Sequence, residues 1–258
     1  MISMVSKEII RQYWDKEPCG TGGMPLSQWD DKYFDTISKK RDELEPFIAK
    51  YAQFERWTGK QVLEVGCGVG SDLVKFAKAG ADITGIDLSP KSVCLARLRL
   101  LKYGGNCGVF QLDAEAMPFK DGKFDFVYSW GVLHHTPDTI RAISEIHRVT
   151  KSGGEICVML YHKHSLVALQ LWLLFGLFAG KPFRSLDDIF ANHHESQGTK
   201  AYTIGEVRRM FAKFKNVEIN VQLTPYDLRY KRNGYLPSWL GKFVPQNLGF
   251  FLIIQGEK

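Results

Sequence analysis

The run Val62-Leu-Glu-Val-Gly66-Cys-Gly68-Val-Gly70-Ser-Asp72 reads as a strand, a tight loop and a helix start, with glycines at alternate positions. Glycine tolerates positive φ and lets a ligand approach main-chain N–H groups, and the helix that follows offers a positive dipole end. Residues of these types make a site for a nucleotide-like ligand, and the neighbouring charges decide which one. Glu64, just before the loop, would repel the pyrophosphate of a dinucleotide and attract a ligand carrying an ammonium and a sulfonium, as S-adenosylmethionine does. The spacing is G-x-G-x-G, not the G-x-G-x-x-G of the dinucleotide fingerprint, so a nicotinamide enzyme is a minor alternative. Were Glu64 only a core-edge carboxylate, its charge would still need a partner.

Two more acids stand at the ends of apolar runs. Asp87, in Gly85-Ile-Asp87-Leu-Ser-Pro90, can accept from both ribose hydroxyls of such a ligand; the competing role, capping the next helix, already belongs to Ser89. Asp113, in Gln111-Leu-Asp113-Ala-Glu115, can accept from an adenine amino group while the Ala114 N–H meets a ring nitrogen, with a surface turn as the alternative.

The elements that must position these acids follow from periodicity. Strands are predicted at 61–65, 82–86, 107–111, 124–129 and 154–160, and helices between them at 71–79, 89–102 and 138–149. Such alternation predicts a parallel sheet with crossover helices, whose ligand lies beyond the carboxyl ends of the strands. Two later apolar runs, Val217–Leu223 and Leu248–Gln255, complete the sheet as an antiparallel pair. Ahead of the first strand, a short helix over Ser3–Glu17 leads through Cys19-Gly-Thr-Gly-Gly23 to a helical stretch at 30–57, interrupted near Pro46. The domain reading is an N-terminal helical cap at 1–57 and a core at 58–258, with an apolar helical insertion at 164–200 and a substrate-side insertion at 225–247.

With 258 residues, 45% hydrophobic and 24% charged, the chain can bury a substantial core. A net charge of +6 without a block of like charges gives a nucleic-acid partner no support. Five cysteines without a C-x-x-C pair, and an N-terminus without a basic-then-apolar leader, predict reduced thiols in a cytoplasmic protein, peripheral membrane contact being the alternative.

Across roughly residues 55–162, through VLEVGCGVGSD, GIDLSP, DAEAMPF, FDFVYSWGVLHHTPD and EIHRVTKSGGEICVMLYH, the sequence resembles a class I S-adenosylmethionine-dependent methyltransferase. The resemblance implies an α/β, Rossmann-like seven-stranded, mostly parallel sheet with the last strand antiparallel. It implies S-adenosylmethionine as cofactor. Glu64, Gly66, Cys67, Gly68 and Gly70 would hold the methionine part, Asp87 and Leu88 the ribose, Asp113, Ala114 and Glu115 the adenine, and Ser129 with Trp130 the floor near the sulfonium.

Methyl transfer from a sulfonium releases a thioether that needs no proton, so the enzyme aligns and desolvates, with a base only where the acceptor must lose a proton. Of the adjacent His134 and His135, one is expected to face the site while the other caps the helix near Pro137. His134 is the candidate base, its alternative a structural role, and His135 is placed on the substrate side. The phosphobase methyltransferases, which this stretch also resembles, imply that Tyr13 acts with it; the alternative is that Tyr13 and Trp14 are simply the apolar face of a lid. Tyr161, His162, Tyr226 and Arg229 are the remaining substrate candidates. Without H-E-x-x-H or a cysteine set, His193-His-Glu195 is read as a solvated loop and no metal is expected.

The segment Ser165–Gly180 has no charge in sixteen residues, too short for a membrane span. It is read as a helix roofing a small-molecule pocket or forming a dimer face, with a lipid-facing entrance beside the basic residues of 200–243 as the alternative. The functional expectation is methylation of an oxygen or nitrogen nucleophile on a small molecule by a monomer or homodimer. The alternatives are a quinone-like or lipid acceptor at the membrane surface, and a protein that binds S-adenosylmethionine without transferring its methyl.

Overall fold

The computed structural model describes residues 5–21, 30–101, 107–231, 234–235 and 237–258. Ser3 at the start of the expected first helix, the pair Gly22–Gly23, residue 102 and Arg232 lie outside these ranges. Three helices lead in: α1 (Lys7–Lys16), α2 (Asp31–Leu44) and α3 (Ile48–Ala52). Strands and helices then alternate as β1 (Gln61–Val65), α4 (Ser71–Lys78), β2 (Asp82–Asp87), α5 (Pro90–Leu100), β3 (Gly108–Gln111), β4 (Phe124–Trp130), α6 (Thr139–Val149) and β5 (Thr150–Tyr161). The remainder is α7 (Leu166–Trp172), α8 (Leu186–His193), α9 (Ile204–Met210), β6 (Lys215–Gln222), the hairpin β7 (Arg229–Lys231) and β8 (Gly234–Tyr235), and β9 (Phe251–Glu257).

Helix starts follow side-chain capping. Ser6, Asp30, Ser89, Asp138 and Ser165 each accept from a backbone N–H of the first turn, which meets one of the donors a helix start leaves open. Asp138, not a histidine, therefore caps the helix after Pro137. The break near Pro46 falls where expected, between α2 and α3.

The seven-stranded sheet has the order β3-β2-β1-β4-β5-β9-β6. β9 runs antiparallel to both β5 and β6, and the other strands run parallel, as the sequence predicts. Strand order reverses between β1 and β4, and a crevice opens there at the carboxyl ends. Alternate residues of a strand face opposite sides of a sheet. Val62, Phe126, Tyr128, Trp130, Cys157, Met159 and Tyr161 belong to one core layer; Leu63, Val65, Val127, Val158 and Leu160 belong to the other. Glu64 pairs in register with Tyr128 and so faces the first layer, where the N-terminal helices pack.

The cap is tied down by charges. Arg99 of α5, buried, donates to the carbonyls of Val69 and Phe34 and to Ser71 Oγ, joining α2, the glycine loop and α5. Asp15 of α1 accepts from Ser89 Oγ and the Lys91 N–H, which fixes α1 across the start of α5. No described helix is long and apolar enough to cross a membrane.

Candidate active site

A cavity of about 910 Å³ lies over the carboxyl ends of β1, β2, β3, β4 and β5, roofed by residues of α1, α2, α7 and the segment after α8. That is ample for a nucleotide-sized ligand and a second small molecule. Its floor is the glycine loop, whose Gly66 and Cys67 N–H groups both donate to the Ile86 carbonyl. Gly66, with φ +76°, has no room for a side chain, since a Cβ would collide with Val132. Gly68, with φ +52°, would point a Cβ into open space on the cavity wall. Gly66→Ala is accordingly expected to destabilise the fold by about 2–5 kcal/mol, from left-handed strain plus overpacking. Gly68→Ala should cost only about 1–2 kcal/mol in a thermal melt, yet lose nucleotide binding by calorimetry, because its methyl occupies ligand space.

Glu64, Cys67, Leu88, Ala114 and Trp130 line this cavity with Gly66 and Gly68. Glu64 is buried, its Oε2 has no hydrogen-bond partner, and burial followed by the neighbouring Asp72 charge pushes its carboxyl well above the usual range. Asp87, also on the wall, accepts from the Gly68 N–H at 2.9 Å and the Ser89 N–H at 2.9 Å, so it shapes the loop and keeps lone pairs for a ligand. Asp113 and Glu115 line the far end, and Lys7 of α1 pairs with both, at 2.5 and 2.6 Å. The cap thus supplies a counter-charge over the acids that sequence assigned to adenine.

Five expected site residues lie off the cavity wall, His134 among them. Ser129 and His162 fall on the opposite face of the sheet from Trp130 and Tyr161, because neighbours in a strand alternate: Ser129 Oγ donates to the Val65 carbonyl, and His162 Nδ1 lies 3.0 Å from the Gly249 carbonyl. Gly70, with φ +77°, starts α4 against Ala96, so it serves helix packing. Tyr13 is 41% exposed and packs edge-on against Trp14, which lines the cavity and meets the His135 ring edge-on with centroids 5.1 Å apart.

Of the two histidines, the candidate base His134 is the one that lies off the wall. His134 is fully buried outside the lining, its ring 3.8 Å from that of Tyr161, with both nitrogens unpartnered. Burial, then the neighbouring His135, hold it well below the ordinary histidine range. His135 is the one on the wall, with Nδ1 at 2.9 Å from Ser196 Oγ and 3.0 Å from Thr199 Oγ1, and Nε2 at 3.2 Å from Glu195 Oε2. Tyr161 donates to the same Glu195 oxygen at 2.8 Å. His194 and Glu195 are therefore turned into the cavity and are not a solvated loop; only His193 points outward, stacked on Phe175. Desolvation raises the Glu195 carboxyl, but its side chain is still 36% exposed and the close approach and charge of His135 prevail, so it falls to about 2. Tyr226 and Arg229 line the cavity, and Tyr226 donates to Glu45 at 3.2 Å.

Sequence reading missed the charged spine behind Glu64. Arg41 of α2 pairs with Asp72 at 2.7 Å, Tyr128 donates to the same carboxylate at 3.0 Å, and Trp130 Nε1 donates to Glu45 at 2.7 Å. Asp72 was legible as the acid following the glycine loop. Arg41 and Glu45 carry no pattern that separates them from the other charges of a polar helix.

Residues 63–158 match the methyltransferase-domain family. A ubiquinone biosynthesis O-methyltransferase of Pseudomonas aeruginosa is 38% identical over 99 residues, 38% of this chain and 43% of that protein. The chain thus matches less than half the length of that curated relative. Among solved structures, magnesium protoporphyrin IX methyltransferase from Synechocystis with bound S-adenosylhomocysteine shares the fold, with a TM-score of 0.61 at 18% identity over 98% of this chain and 100% of the other. Phosphoethanolamine N-methyltransferase 2 of Haemonchus contortus does so at 0.62 and 17% identity, over 98% of this chain and 60% of the other.

Proposed function

We infer that this chain, which carries a class I S-adenosylmethionine-dependent methyltransferase domain, transfers the cofactor's methyl group to an oxygen or nitrogen nucleophile of a small molecule. The observation that carries the reading is Glu64: a buried carboxylate whose Oε2 has no hydrogen-bond partner, on the same cavity wall as Gly68, Asp87 and Asp113. A cationic ligand with a ribose and a purine answers all of these groups. In the reaction the new bond from the nucleophile to the methyl carbon forms as the carbon–sulfur bond breaks, its electron pair passing to sulfur. Where the nucleophile must lose a proton, the pair His135 and Glu195 receives it; Tyr161 and Ser196 hold that pair in place. Trp14 and Trp130 exclude water. The test is titration with S-adenosylmethionine and its demethylated product, followed by labelled cofactor in a cell extract. Binding with a labelled small molecule supports the reading; binding without product supports a sensor; binding of neither ligand overturns it.

A second reading, an apolar or quinone-like acceptor met at a membrane, rests on the cavity mouth. Leu174 and Phe178 line the cavity yet are 58% and 76% exposed, and Phe183 beyond them is 99% exposed, with Lys181 and Arg184 adjacent in the chain. An apolar rim with flanking cations is suited to an anionic lipid surface. The P. aeruginosa relative, named for ubiquinone biosynthesis, favours the same acceptor class. Co-sedimentation with anionic vesicles at low salt is expected for the native chain and is expected to be lost in Phe178→Ser/Phe183→Ser. Failure of the native chain to sediment removes this reading.

A further inference from the structure

At the acceptor end of the cavity, ligand atoms of His134, His135 and Glu195 all lie within 4.8 Å of one another. We propose that these three side chains form a site for a divalent transition metal, with its remaining coordination position open to the cavity. His135 Nδ1 lies 2.9 Å from Ser196 Oγ and 3.0 Å from Thr199 Oγ1, so two hydroxyls hold the ring, while its buried Nε2, 3.2 Å from Glu195 Oε2, has no well-formed hydrogen bond. His134 adds an independent observation: it is fully buried, and neither of its nitrogens has a partner. A buried imidazole left unsatisfied on both sides is costly, and metal ligation satisfies one side.

Two imidazoles and one carboxylate select zinc, iron or a similar ion over magnesium and calcium. Ligand atoms on a tetrahedral ion sit about 3.4 Å apart, so the cluster closes by side-chain adjustment on the order of 1 Å. Ser196 and Thr199 act as outer partners of His135, and Tyr161 as the outer partner of Glu195. Three protein ligands leave a position for an oxygen of the acceptor, which the metal would make more acidic, and with the ion bound that acidification replaces proton transfer to His135 and Glu195. That role rests on the methyl-transfer reading; metal binding itself does not.

The experiment is a titration of untagged, chelator-treated protein with Co²⁺ and with Zn²⁺, read by visible absorption, elemental analysis after gel filtration, and thermal melting. One equivalent per chain, nitrogen-ligated cobalt bands and a raised Tm are expected. Glu195→Gln should weaken binding by more than about 100-fold, beyond the usual loss of an outer partner, while His193→Gln leaves it unchanged. If native protein that still binds S-adenosylmethionine takes up no metal and shows no cobalt bands, the proposal is overturned. Metal uptake without cofactor binding would instead sustain the site and overturn the methyltransferase reading.

Discussion

Replacing Glu64 by Gln is expected to weaken S-adenosylmethionine binding by about 2–4 kcal/mol, roughly 30- to 1000-fold, with little loss of stability. The carboxylate is buried without a hydrogen-bond partner for Oε2, so the free protein carries a destabilised charge that a cationic ligand can meet. Comparison of two ligands locates the contact. If Glu64 meets the ammonium, the demethylated product, which keeps that group, weakens equally; if it meets the sulfonium, only the methylated cofactor does. The pH dependence has a defined sign. Burial, then Asp72, raise the carboxyl in the free protein, and a bound cation favours the ionised form. Binding therefore expels a proton at pH values between the ordinary carboxylate range, about 4.5, and the raised value, and affinity climbs with pH across that window. Because the folded-state value is the raised one, the unliganded fold loses stability as pH rises through the same window, where ligand binding gains. Calorimetry in buffers of different ionisation enthalpy should show proton release in the native chain and none in Glu64→Gln. Equal affinity in the two proteins would remove Glu64 from the site.

The alternating pattern of the first 160 residues made the sheet, its switch point and the acids at the strand ends legible, because both the period of a strand and the position of a ligand in such a sheet are local consequences of chain geometry. The same rule, applied more strictly, would have excluded Ser129 with Trp130 and His162 with Tyr161 as joint wall residues, since neighbours in a strand cannot share a face. His134 and His135 could not be assigned that way. They lie in the turn Leu133–His135, where side-chain direction depends on what packs around it, and here the hydroxyls of Ser196 and Thr199, about sixty residues on, claim His135. Glu195 was hidden for the same reason: its run of polar neighbours resembles a surface loop until α7 and α8 fold it over the cavity. Long-range pairings of this kind have no periodicity to betray them.

Arg41 is the strongest case, and Arg41→Met is expected to destabilise the protein by about 3–5 kcal/mol, lowering Tm by roughly 6–20 °C. Its partner Asp72 is almost entirely buried behind the glycine loop, and without the guanidinium it keeps only Tyr128 at 3.0 Å and Lys75 at 3.5 Å. Burial pushes Asp72 up, but Arg41 and Lys75 outweigh it and hold it below the usual value. Its ionised form thus contributes stability above the unfolded value of about 3.8, and that contribution fades as pH falls through the lower folded value. In the variant, burial prevails, Asp72 takes up a proton on mild acidification, and the deficit against the native chain should shrink as pH falls. A second change separates structure from binding. Arg41→Met/Asp72→Asn removes the stranded charge and should regain most of the stability, since a buried ion pair replaced as a unit is often neutral. It should not regain cofactor affinity, because Arg41 is also on the cavity wall, where its guanidinium can meet the carboxylate of a methionine moiety. If the double variant recovers binding together with stability, Arg41 is a structural strut alone; if neither variant is destabilised, the pair with Asp72 does not hold the cap to the sheet.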